Sequence, residues 1–90
     1  MYAVVVRVSI KPDRAAEAAE QLKSEVIPRM QTLPGVVAGY WTRAADQRSG
    51  LALVVFNDEE SAKAAAANLP APAEGVTVAD IEIREVVAQI

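Results

Sequence analysis

The sequence contains neither cysteine nor histidine. These two absences remove the ordinary protein zinc site, the Ser-His-Asp and Cys-His nucleophiles and any thiol redox centre. Haem held by a proximal His or a Cys thiolate goes with them. An acid or base working near neutral pH must then be a shifted carboxylate, a Lys or a Tyr. Aromatic residues are scarce as well, at 4%. No apolar run approaches the roughly 20 residues needed to cross a bilayer. The early run Tyr2 to Val6 has no basic segment before it and no small-residue cleavage site, so it reads as a strand and not a signal peptide. A soluble cytoplasmic protein without a membrane partner is the expectation. Basic residues are not in excess either: nine Lys and Arg stand against twelve Asp and Glu, a net charge of −3. Phosphate-backbone binding needs clustered cations, so nucleic acid is not an expected partner.

What is present is apolar: 52% of ninety residues, a length that suits one domain over residues 1–90. Tyr2 to Ile10 is rich in β-branched residues and reads as a strand. One face would carry Tyr2, Val4, Val6, Val8 and Ile10, the other Ala3, Val5, Arg7 and Ser9. Lys11-Pro12-Asp13 breaks it, with Asp13 the expected cap of a helix. Ala15, Ala19, Leu22, Val26, Met30 and Leu33 then recur at helical spacing. Pro28 has no N–H for the Ser24 carbonyl, so a kink or break is expected there. Leu33-Pro34-Gly35 ends the element.

Two strands follow, Val36 to Ala44 and Leu51 to Asn57, joined by a hairpin loop over residues 45–50. Asn57 is placed to cap a second helix, with Glu60 at its third position and an acidic first turn that complements the macrodipole. Its body, Ser61 to Leu69, is mostly alanine, which permits close packing on a sheet. A Pro- and Ala-rich loop leads to a last strand, Val76 to Val87.

The order is β-α-β-β-α-β, an α+β ferredoxin-like sandwich with a four-stranded antiparallel sheet and two helices on one face. A sheet with a wet open face should alternate apolar and polar residues. Leu51 to Phe56 and Tyr2 to Val6 are instead apolar on both faces, and two helices cover only one. Leaving several Val and Leu side chains wet would forfeit several kcal/mol at about 25 cal/mol per Å², comparable to the stability of a small domain. A homodimer joined sheet to sheet, closing an α/β barrel, is the expected answer.

The opening strand with Lys11-Pro12-Asp13, Val26-Ile27-Pro28 late in the first helix, Leu33-Pro34-Gly35-Val36 before the hairpin and Val54-Val55-Phe56-Asn57-Asp58-Glu59-Glu60-Ser61-Ala62 together cover nearly the whole chain. In these segments the sequence resembles the dimeric α/β-barrel superfamily, and within it the antibiotic biosynthesis monooxygenase family. The resemblance implies two facing ferredoxin-like sheets, with a cavity between sheet and helices in each subunit. Some members oxidise aromatic polyketide-like substrates with O₂ and neither metal nor flavin; others degrade haem with a His, a Trp and an Asn. The chain departs from the second pattern, having no His, and carries Asn57 near where many relatives place a Trp. No cofactor and no metal is therefore expected.

The residues singled out for ligand binding are Arg7, Tyr40, Trp41, Glu82 and Arg84. Trp41 and Tyr40 are adjacent on a strand and must point to opposite faces. Val37, Gly39, Trp41 and Arg43 are assigned the face away from the helices, since Arg43 would sit awkwardly against them. Trp41 would wall a cavity or stack on a flat ligand; the simpler alternative for both rings is core or interface packing. Asp80, Glu82 and Arg84 share a face on the neighbouring last strand, and Arg7 should lie beside one of these acids, either as a polar ligand cluster or as a cross-strand ion pair. Asp58, Glu59 and Glu60 are explained by helix capping and not by a metal, and Glu17, Glu20 and Glu25 by a solvated helix face. Three functions follow: a dimer that binds a small apolar or aromatic molecule, a cofactor-free monooxygenase acting on a phenol or hydroquinone, and a purely structural dimerisation module. Catalytic residues are not assignable from the sequence.

Overall fold

A computed structural model describes residues 1–90. Strand β1 (Tyr2–Ile10) leads through a 3₁₀ turn at Pro12–Arg14 into helix α1 (Ala15–Gln21), a π turn at Leu22–Val26 and helix α2 (Ile27–Gln31). The hairpin β2 (Val36–Arg43) and β3 (Ser49–Phe56) follows, then helix α3 (Glu59–Ala67) and strand β4 (Val76–Glu85). The sheet is antiparallel in the order β2-β3-β1-β4, the ferredoxin-like arrangement expected from the β-α-β-β-α-β order.

Two local expectations are corrected and a third is refined. Asp13 caps nothing: it lies inside the 3₁₀ turn, and no side chain caps that turn or α1. The interruption expected at Pro28 is a π turn that separates α1 from α2 just before it, and not an end of the helix. The Ile27 N–H bonds the Leu22 carbonyl, and this wider turn just upstream absorbs the missing N–H and the bulk of the ring while the helical path continues. The cap of the last helix is Asp58, one residue after Asn57. Its carboxylate accepts from the Ser61 N–H at 2.7 Å, so Ser61, not Glu60, takes the third helical position. That hydrogen bond, with the Ser61 hydroxyl, holds the Asp58 carboxyl below its usual range.

The side chains of β1 alternate as expected. Val4, Val6, Val8 and Ile10 face the helices, and Ala3, Val5, Arg7 and Ser9 face away. Strand β2 does not keep its parity. Val36 pairs with Phe56 and Ala38 with Val55, leaving Val37 as an extra residue, half exposed. A bulge of this kind reverses which residues face the core beyond it. Gly39, Trp41 and Arg43 consequently face the helices, and Ala38, Tyr40 and Thr42 the open side, the reverse of the expected assignment.

The core is off-centre. Val4 and Phe56 are fully buried and pack with Met30, Val54, Ala62 and Ala65. Helix α3 lies directly on β1, β3 and β4, because alanines at its buried positions let it approach closely. Helix α1 stands off from the sheet.

Candidate functional site

The gap under α1 is a cavity of about 410 Å³, within the roughly 300–1,000 Å³ typical of small-molecule sites. Its floor is Val4, Val6 and Val54 on the sheet, and its roof is α1 with the π turn. The 69–73 segment after α3 forms one wall. The roof is built from Ala15, Ala18 and Ala19 beside Leu22 and Val26. Methyl groups are too short to reach the strands, so the helix spans the space without filling it. Nineteen of the 25 lining residues are apolar, and no Asp, Glu or Tyr is among them.

Trp41 is the one aromatic side chain in this lining. It is half-buried and also packs against the core cluster. Its seat is Gly39, two residues away on the same face: a Cβ there would lie 2.9 Å from two carbons of the six-membered ring. Only a residue without a side chain leaves the indole room to lie flat on the strand. Two residues beyond Trp41, Arg43 reaches across to α1, where its guanidinium donates to the Ala15 carbonyl at 3.4 Å. That contact gives a cation a place on the helix side of the sheet, which the residue type alone argues against.

The other sequence-predicted residues lie on the opposite side of the sheet. Arg7 donates to Asp80 at 3.2 Å and to Glu82 at 2.5 Å, and Arg84 donates to Glu82 at 3.0 Å. The hydrogen bond from Arg7, then the one from Arg84, pulls the Glu82 carboxyl below its usual range. The bond with Glu82 raises Arg7 in turn. Tyr40 stands on the same face, 64% exposed. The structure therefore brings Arg7, Glu82 and Arg84 together, sets Tyr40 two strands away across the sheet, and separates all four from Trp41. Sequence reasoning missed Gly39, Arg43 and Lys23 as cavity residues. A glycine two positions before a lone tryptophan on a strand was the available signal for the first.

A search of curated proteins finds no match to this chain. Crystal structures of other proteins share its fold. A protein of unknown function from Nitrosomonas europaea superposes with a TM-score of 0.67 at 24% identity, over 99% of this chain and 91% of that one. A candidate antibiotic biosynthesis monooxygenase from Bacteroides thetaiotaomicron gives a TM-score of 0.59 at 21% identity, over 99% and 90%. At these identities the likeness speaks for the fold alone. The family model described as antibiotic biosynthesis monooxygenase matches residues 1–70, from β1 through α3, which includes the cavity floor, the α1 roof and Trp41. By that match the chain belongs to the antibiotic biosynthesis monooxygenase family.

Proposed function

We propose that the protein binds a small apolar or aromatic molecule in the cavity between α1 and the sheet, against Trp41, as one domain of a homodimer joined through the open face of the sheet. The observation that carries the ligand reading is the 410 Å³ apolar space itself. A cleft of this size, walled mostly by apolar side chains with one aromatic ring among them, has the character of a small-molecule site. The open face supports the dimer: Leu51, Leu53 and Val55 of β3 lie beside Val5 and Tyr40 there.

A neutral apolar dye, N-phenyl-1-naphthylamine, tests the ligand reading. Its emission should rise on mixing with the protein while Trp41 emission falls. Ala19→Phe, which fills the space from the roof, should abolish both changes. Dye binding unaffected by Ala19→Phe would place the site elsewhere and defeat the reading, as would no binding at all.

Membership of the family favours a second reading, a monooxygenase that uses O₂ on a phenol or hydroquinone without a cofactor. With no Asp, Glu or Tyr in the cavity lining, the substrate's own acidity would supply the reactive anion. The protein would contribute shape and positive charge. Oxygen uptake with a panel of polycyclic hydroquinones, lost in Trp41→Ala, would support it. Uptake unchanged in that variant would sink it.

A further inference from the structure

The chain has more acidic than basic residues, yet the only charged side chains bordering the cavity are two cations, Arg43 and Lys23. Neither forms an ion pair, whereas Arg7, Arg14, Lys63 and Arg84 all do. The one hydrogen bond of the Arg43 guanidinium is the long one to the Ala15 carbonyl, which leaves most of its five N–H donors free. Arg43 is exposed and sits where β2 ends opposite the start of α1, at the rim and not on the apolar floor. Lys23 lies on the roof helix, roughly 12 Å further along it at 1.5 Å per residue.

We propose that the natural ligand is an apolar carboxylic acid, with its carboxylate on Arg43 and its hydrocarbon or aromatic body against Trp41. The inference rests on the cavity reading above and names the chemical class of the occupant. Strand geometry sets the spacing: Arg43 and Trp41 face the same side two residues apart, about 7 Å along the strand. That span suits a carboxylate joined directly, or through one or two carbons, to a flat ring or chain. Arg43 offers a planar fork of donors that matches a carboxylate in two-point contact. Lys23, further along the roof, adds positive potential without a direct bond. A neutral oxygen would accept only a weaker hydrogen bond from Arg43 than a carboxylate does, and a cation would be repelled by both.

Isothermal calorimetry with two isosteric probes, 2-naphthoate and 2-naphthalenemethanol, tests this. The acid should bind the wild-type protein about tenfold more tightly than the alcohol, as expected of a charge-assisted hydrogen-bonded pair. In Arg43→Gln that preference should collapse, the acid losing far more affinity than the alcohol. Arg43→Lys should keep part of the preference, since it keeps the charge and loses the fork. Lys23→Gln should weaken the acid by less than about twofold, and only at low salt, as expected of an exposed charge about 12 Å away. Equal affinity for acid and alcohol would overturn the carboxylate assignment while the apolar-cavity reading stands. Binding of neither probe would overturn both. A preference that survives Arg43→Gln would also overturn the assignment.

Discussion

The indole of Trp41 rests where a Cβ on Gly39 would come within 2.9 Å of two ring carbons, so the two residues act as a ring and its seat. Gly39→Val should lift the indole off the strand and into the cavity, costing about 1–3 kcal/mol as other overpacking changes do. Trp41 is the only tryptophan, so a shift in protein emission together with a lowered urea midpoint checks this directly; unchanged emission would mean the ring does not use that seat. On the other side of the sheet, Glu82 supplies the residue-scale pH dependence. Its carboxyl lies below the ordinary value because Arg7 and then Arg84 bond it. A depressed carboxyl stabilises the fold above the ordinary glutamate pKa of about 4.3, and the contribution is lost as pH falls through the folded-state value. Glu82→Gln should therefore lower the urea midpoint at pH 7, with wild type and variant converging as the pH falls through the folded-state value of Glu82. The pairing of Arg7 with the acids of β4 was legible in the sequence, because β1 and β4 are neighbours in this topology and the charges are distinctive. The direction of Trp41 was not. It turns on one extra backbone residue at Val37, and nothing about a valine between a valine and an alanine announces a bulge.

Two helical layers built from similar residues behave oppositely. In α3, Ala62 and Ala65 are buried because the helix comes down onto the sheet. In α1, Ala18 and Ala19 line empty space because the helix is held off, supported downstream where Met30 enters the core. The same substitution should then have opposite consequences in the two elements. Ala62→Leu forces extra methyl groups into a filled site and should cost about 1–3 kcal/mol. Ala18→Leu extends into the cavity and should be neutral or stabilising by up to about 1 kcal/mol, as cavity-filling changes are. Paired urea titrations of the two variants decide it, and equal destabilisation would mean that α1 packs as closely as α3. The stripe from Ala15 to Met30 and the alanine-rich α3 were readable from periodicity. Which alanines pack and which stand clear depends on helix height above the sheet, a tertiary quantity that periodicity does not carry. Pro28 teaches the same lesson. The missing hydrogen bond was predictable, but a widened turn one step upstream relieves it without ending the helix.

At the scale of the whole molecule, β3 and the first half of β1 are apolar on both sides and helices cover one, while the open face turns polar at Arg7, Asp80, Glu82 and Arg84. Ala3 and Val5 are buried on the open face within the single chain, shielded by neighbouring side chains. Leu51, Leu53 and Val55 are half-buried and Tyr40 stands exposed. This much followed from the sequence, since alternation fails in β1 and β3 alike, and the failure has one economical remedy in a second copy of the chain laid face to face. Leu53 pairs with Val5 on one side and Tyr40 on the other, near the middle of that face. In a two-fold dimer each contact occurs twice, so a loss of roughly 1.5–3 kcal/mol per buried leucine is doubled by one substitution. Light scattering at micromolar concentration should give twice the 9.6 kDa of one chain for the wild type. Leu53→Lys should bring the mass down to that of one chain with its circular dichroism retained. Tyr40→Lys, at a position exposed in the single chain, is the second variant should Leu53→Lys fail to fold, and it too should weaken association. A wild type that runs at the single-chain mass would end the dimer proposal. Variants that remain dimeric would move the interface off the sheet and leave the apolar face of β3 to be covered by something other than a second copy.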